Sequence, residues 1–139
     1  METIERVYII DDDKVVLHIF DRLVKKHGCF GIVEAFLESE FALKHLISKL
    51  NIKVDQPDLI LIDINMPRMD GWEFIENICK AEPEHNTPFM IISSSIDPDD
   101  IQKSKQYPCV LDFIPKPLSL DKLDYILERY NRLEKVKRK

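Results

Sequence analysis

Leu59-Ile60-Leu61-Ile62-Asp63 is a run of four uninterrupted apolar residues that ends in a carboxylate. No polar residue alternates with the apolar ones, so both faces of the segment must be covered, as in the inner strands of a parallel sheet. Two other runs share the pattern: Val7-Tyr8-Ile9-Ile10 before Asp11-Asp12-Asp13, and Phe89-Met90-Ile91-Ile92 before Ser93-Ser94-Ser95. Ile32-Val33-Glu34-Ala35-Phe36 and Val110-Leu111-Asp112-Phe113-Ile114 each carry an acidic residue, which suits strands nearer a sheet edge.

Helical signals fill the gaps between these runs. Val15, Val16, Ile19, Phe20 and Leu23 recur at helical spacing until Gly28. Phe41, Leu43, Leu46, Ile47 and Leu50 follow Ser39, an expected N-cap, and Trp72, Phe74, Ile75 and Ile78 lie between Gly71 and Pro83. Asp97-Pro98 supplies a capping side chain followed by proline at the first helical position. Ile101 is the main apolar anchor of that helix, which should leave it the least stable of the five. Ser119 opens a last helix carrying Leu120, Leu123, Ile126, Leu127, Tyr130 and Leu133. Strict alternation of strand and helix requires right-handed crossovers and a parallel sheet. The expected fold is α/β: a flavodoxin-like, doubly wound, five-stranded parallel sheet of order 2-1-3-4-5 with five helices. A length of 139 residues fits one domain, residues 1–139, with a core over about 5–133 and a basic tail at 134–139.

Composition removes several classes of function. The chain is 45% hydrophobic and 32% charged, ordinary for a globular domain, and no apolar run is long enough to span a bilayer. A net charge of −5 argues against nucleic-acid binding driven by phosphate contacts. The N-terminus lacks the basic segment of a signal peptide, and Cys29, Cys79 and Cys109 form no CxxC, so reduced thiols in a cytoplasmic protein are expected. His18, His27, His45 and His85 show no metal-ligand spacing.

In an open parallel sheet, ligands bind beyond the carboxyl ends of the strands, near the switch point between the first and third. Those two strands end in Asp11-Asp12-Asp13 and Asp63. Two unit charges ~5 Å apart repel by about 3 kcal/mol at an effective dielectric of ~20, so such crowding calls for a raised carboxylate pKa or a bound divalent cation. One aspartate would suffice to cap the following helix. An all-oxygen donor set favours Mg²⁺ over Zn²⁺, and the carboxylates would repel a nucleotide phosphate. Ser93 ends the fourth strand and Lys116, between Pro115 and Pro117, follows the fifth, the only basic side chain expected at this edge. A nucleophilic carboxylate, a metal site, a hydroxyl and an ammonium are the parts needed for phosphoryl transfer.

The sequence from residue 8 to 133 resembles a receiver domain of the two-component response-regulator family, of the stand-alone chemotaxis-regulator kind. The resemblance rests on Asp11-Asp12, on Asp63-Ile64-Asn65-Met66-Pro67-Arg68-Met69-Asp70-Gly71, on Ser93 and on Lys116-Pro117. It implies that Asp63 accepts a phosphoryl group from a phosphohistidine on a histidine kinase or histidine phosphotransfer protein. Asp12, Asp63 and the Asn65 backbone carbonyl would hold Mg²⁺ directly, and Asp11 through water. Ser93 and Lys116 would bind phosphoryl oxygens, and Phe113 matches the switch aromatic. The Lys116-Pro117 bond would be cis. The chain would act as a phosphoacceptor rather than an enzyme with a separate substrate, through contacts with a downstream protein and a homodimer formed on phosphorylation. Cys109-Val110 stands where relatives usually carry Gly-Ala. Two alternatives compete. A phosphorylation-independent interaction module has no physical need for the full set of site residues. An aspartate-nucleophile phosphohydrolase needs a second acid two residues beyond the nucleophile, where Asn65 stands.

Overall fold

The computed structural model describes residues 3–28, 30–52, 54–81, 87–94 and 97–138. Cys29, Pro83, His85, Ser95 and the side chains of the basic end, 135–139, lie outside the described residues. The elements run β1 (Ile4–Ile10), α1 (Lys14–His27), β2 (Phe30–Phe36), α2 (Ser39–Ile52), β3 (Leu59–Asp63), α3 (Gly71–Ala81), β4 (Phe89–Ser93), α4 (Pro98–Ser104), β5 (Val110–Pro115) and α5 (Leu120–Arg138). All five strands are parallel and the sheet order is β2-β1-β3-β4-β5, as the alternation predicts.

Every residue of β3 and β4 is buried, which is what their uninterrupted apolar runs require. One face of the sheet buries Tyr8, Ile10, Ile60, Ile62 and Ile91 against Leu46 of α2 and Phe74, Ile75 and Ile78 of α3. The other buries Ile9, Leu61, Met90 and Ile92 against Phe20 of α1 and Leu123, Ile126 and Leu127 of α5. Fully burying a side chain of this size contributes roughly 1.5–3 kcal/mol, so these two layers fix the strand ends in place.

Local signals set the helix ends. Asp13 caps α1 by accepting from the Val15 amide at 2.9 Å, and Gly28 closes it in a left-handed conformation at φ 78°. The Asp70 carboxylate accepts from the Glu73 amide at 2.9 Å and begins α3, and the Ser119 hydroxyl accepts from the Lys122 amide at 3.2 Å to begin α5. Asp97 caps α4 through the Asp99 amide. Ser39 departs from its expected role. It is the first helical residue of α2 and donates its hydroxyl to the Met69 carbonyl at 2.6 Å, which ties α2 to the β3–α3 loop.

Candidate functional site

The strand register gathers the acidic residues. Ile10 of β1 lies opposite Ile62 of β3, so Asp11 and Asp63 follow each other out of the same sheet edge. Asp63 in turn pairs with Ile92 of β4, which puts Ser93 one residue beyond, and Ser93 lies opposite Pro115 of β5, immediately before Lys116. The Lys116 amide donates to the Ser93 carbonyl at 2.8 Å, which extends the β4–β5 ladder to the lysine itself.

Asp11, Asp12 and Asp63 each offer a carboxylate oxygen within 4.8 Å of the others. Asp11 is fully buried and Asp63 is 5% exposed, whereas Asp12 is exposed. Two of the carboxylates are oriented by the backbone: the Asp13 amide donates to Asp11 Oδ1 at 2.9 Å, and the Asn65 amide donates to Asp63 Oδ1 at 3.0 Å. The Lys116 ammonium lies 2.7 Å from Asp11 Oδ2 and 3.3 Å from Asp63 Oδ2. Asp13 takes the capping role alone, so Asp11 and Asp12 are not needed at the helix end.

Burial pushes the Asp63 pKa above the ordinary carboxylate value; the Asn65 amide opposes the rise, Asp11 adds to it and Lys116 opposes it. Burial alone would lower the pKa of Lys116. Its contacts with Asp11 and Asp63 outweigh burial and hold the ammonium above its usual value. The lysine is therefore charged at neutral pH, and its charge is divided between two carboxylates.

Three oxygen donors around one point, with an exposed third carboxylate open to water, match the preferences of Mg²⁺. Asp12 makes no hydrogen bond or ion pair among the described residues, so its charge is available to a cation. Asn65, two residues past Asp63, is also exposed.

The peptide bond between Lys116 and Pro117 is cis, as the resemblance implies. Lys122 of α5, a residue the sequence reading does not single out, grips the backbone on either side of Lys116. Its Nζ donates to the Pro115 carbonyl at 2.5 Å and to the Pro117 carbonyl at 2.7 Å. The only trace of this grip in the sequence is a lysine three residues after a helix-capping serine, and nothing there marks its target. Lys116 is also not alone as a basic residue at this edge, contrary to expectation. Lys14 and Arg68 line a cleft of about 300 Å³ together with Asp12, Ser39 and Pro67, because α1 and the β3–α3 loop both start at the same end of the sheet.

Gly71 sets the approach of α3 to the site. A Cβ there would lie 2.6 Å from the Asp63 carbonyl oxygen and 2.7 Å from Ile64 Cα, both backbone atoms, while the Gly71 amide donates to the Ile64 carbonyl at 3.2 Å. Phe113 is half-buried on β5 opposite Ile91 and packs against the α2–α3 layer.

Residues 7–128 match the family model described as response regulator receiver domain. A protein-glutamate methylesterase/protein-glutamine glutaminase of Xanthomonas oryzae pv. oryzae is 35% identical over 94 residues, 68% of this chain and 24% of that protein. A probable C4-dicarboxylate response regulator DctR of Halalkalibacterium halodurans is 30% identical over 132 residues, 95% of this chain and 54% of that protein. This chain therefore spans about a quarter of the one relative and about half of the other. Among solved structures, a two component response regulator from Cytophaga hutchinsonii superposes with a TM-score of 0.84 at 26% identity, covering 94% of this chain and 99% of that one. The chemotaxis protein CheY4 of Vibrio cholerae shares the fold with a TM-score of 0.73 at 23% identity, covering 92% and 99%. Among the described residues no helix is long and apolar enough to cross a membrane.

Proposed function

The chain belongs to the response regulator receiver family, and on that premise we propose that it is a phosphoacceptor whose Asp63 takes a phosphoryl group from a phosphohistidine. The observation that carries this reading is the Lys116 ammonium, 3.3 Å from Asp63 Oδ2 and 2.7 Å from Asp11 Oδ2, at the mouth of a three-carboxylate cluster. In the proposed step a carboxylate oxygen of Asp63 attacks phosphorus. A P–O bond forms, the P–N bond to the imidazole breaks, and the imidazole nitrogen keeps the electron pair. The product is an acyl phosphate on Asp63.

Each neighbour has a role in that step. The Asn65 amide holds Asp63 Oδ1, which aims the carboxylate. Lys116 neutralises oxygens of the incoming phosphoryl group, and the Ser93 hydroxyl at the end of β4 binds another. Asp12, Asp63 and the Asn65 carbonyl would hold Mg²⁺, with Asp11 behind them, and the ion would supply charge neutralisation for the phosphoryl oxygens. Asn65 offers no acid for a leaving group, which favours a lasting acyl phosphate over a hydrolytic enzyme.

The donor is a histidine kinase or histidine phosphotransfer protein, and the working compartment is the cytoplasm. The output is proposed to run through α4, β5 and α5, towards a downstream protein and a phosphorylation-dependent homodimer. Only Ser104 of α4 is buried, and Ile101, the apolar residue expected to anchor that helix, is 37% exposed. Few buried contacts mean a low local opening free energy, so α4 can shift at little cost when Ser93 moves.

Mass spectrometry after incubation with a small acyl phosphate and Mg²⁺ tests the acceptor. One phosphoryl group should be gained and mapped to Asp63, and Asp63→Asn should gain none. Undiminished labelling of that variant would sink the assignment. For the output face, hydrogen exchange should change over residues 97–113 on phosphorylation. A change confined to another face would overturn that part alone.

A further inference from the structure

Cys79 of α3 and Cys109, just before β5, are 30 residues apart in sequence, yet their sulfurs lie 3.5 Å apart. Both thiols are free, Cys79 exposed and Cys109 half-buried. The pair ends a row of contacts between α3 and the segment joining α4 to β5. Lys103 Nζ sits 4.9 Å from the Trp72 ring centroid, and Tyr107 stacks on Trp72 at 5.6 Å. The Tyr107 hydroxyl donates to Glu76 Oε1 at 2.7 Å. Trp72, Glu76 and Cys79 lie at helical spacing along one stripe of α3, so Lys103, Tyr107 and Cys109 are met in turn. Those contacts hold the two thiols in place without a bond between them.

We propose that Cys79 and Cys109 form a reversible intramolecular disulfide when the protein meets a peroxide, a modification that clamps the α4–β5 connection onto α3. Cys79 is the attacking thiol because solvent reaches it. Its thiolate sulfur attacks one peroxide oxygen; an S–O bond forms and the O–O bond breaks. The Cys79 proton and the departing oxygen leave as water, and a sulfenic acid remains. Cys109 sulfur then attacks Cys79 sulfur. The S–S bond forms, the S–O bond breaks, and the hydroxyl leaves with the Cys109 proton as a second water. The two thiols together give two electrons to the peroxide. Burial and the hydrogen bond with Cys79 push the Cys109 thiol up to about 12, which disfavours it as the thiol that meets the peroxide first; its place 3.5 Å from the Cys79 sulfur suits it to the second, intramolecular step. Bonding needs the sulfurs to close from 3.5 Å to the ~2.05 Å of a disulfide, a movement on the scale of side-chain rotation.

The experiment uses the full chain carrying Cys29→Ser, so that only this pair can close. Hydrogen peroxide is added in the absence of any phosphoryl donor, which separates failure here from failure of the phosphoacceptor reading. Expected are a mass lower by two hydrogens, a proteolytic fragment joining Cys79 to Cys109, and a raised urea midpoint that dithiothreitol returns to its starting value. Exchange of amides in residues 103–110 should slow in the oxidised form. In a second variant that also carries Cys109→Ser, Cys79 should keep an added oxygen instead of closing a bond. A gain of oxygen with both cysteines present, or dimers joined through Cys79, would overturn the proposal, as would thiols that stay reduced while Cys79 in the Cys109→Ser variant oxidises.

Discussion

Replacing Lys116 with Met keeps side-chain length and removes the one cation in contact with Asp11 and Asp63 among the described residues. At separations of 2.7 and 3.3 Å and an effective dielectric of ~20, the two ion pairs are worth roughly 6 and 5 kcal/mol in gross attraction. Withdrawing a side chain that is only 15% exposed from water offsets much of that. Removing one partner of a buried pair nevertheless costs ~3–5 kcal/mol, because the partner charge stays buried without compensation. In the variant, ionised carboxylate oxygens within 4.8 Å of one another would repel by at least about 3.5 kcal/mol at the same dielectric of ~20. In EDTA at neutral pH the unfolding free energy should therefore drop by about 3–5 kcal/mol. Mg²⁺ should recover most of the loss, and mild acid should recover part by protonating a carboxylate. Urea unfolding followed by Trp72 fluorescence, with EDTA or Mg²⁺, measures all three. A drop below ~1 kcal/mol, the range of an exposed pair, would refute the reasoning. So would a drop of equal size with and without Mg²⁺, since that would trace to lost packing and not to charge.

Asp12→Ala should leave the urea midpoint in EDTA unchanged or slightly raised while weakening Mg²⁺ at least about tenfold, what losing even an outer-shell partner costs; calorimetric titration reads the affinity and urea unfolding the stability. Asp63 has a folded pKa above its ordinary 3.8, so between those values the folded protein holds the extra proton. Its contribution to stability must then fall as pH rises through that window, and Asp63→Asn should flatten that part of the pH profile in EDTA. Gly71→Ala should cost roughly 1–3 kcal/mol by overpacking, since the new Cβ would meet backbone at 2.6 Å; an unchanged urea midpoint would contradict the contact.

The sheet order and the covered faces were legible because β3 and β4 are apolar at nearly every position and buried throughout. Strand starts were less so. β1 begins at Ile4, three residues before its apolar run, because Glu5 and Arg6 interrupt the pattern; Arg6 stays in the strand and pairs with Glu34 at 3.2 Å. β2 begins at Phe30, ahead of a glycine that weakens any strand signal. At the site, the aspartates, Ser93 and Lys116 could be read because each comes directly after or at the end of a strand. What escaped depends on contacts between elements distant in sequence: the Lys122 grip on Pro115 and Pro117, Ser39 on the Met69 carbonyl, and Cys79 on Cys109. The cysteines look scattered because their spacing in sequence has no motif, and α3 brings them together only after it has packed beside β4 and β5. Ile101 misleads for a related reason. α4 is held at its C-terminal end, through buried Ser104 and the stacking of Tyr107 on Trp72, rather than by its own apolar residue.

Charge counting shows what such a cluster is short of. Three carboxylates and one ammonium leave two negative charges at the mouth of the sheet, the charge that one divalent cation cancels. Burial of Asp63 works against its ionised form, and Asp11 adds to that, while Lys116 divides its charge between the two and satisfies neither fully. These protein groups are thus held short of neutrality by the same charges that would bind a cation and an anionic phosphoryl group. The resulting repulsion is offset by the two apolar layers. Lys122 ties the backbone on both sides of Lys116 to α5, at the end of the β4–β5 ladder. On the proposed reading, a movement at that end passes to α4, next in the chain after β4, of which only Ser104 is buried.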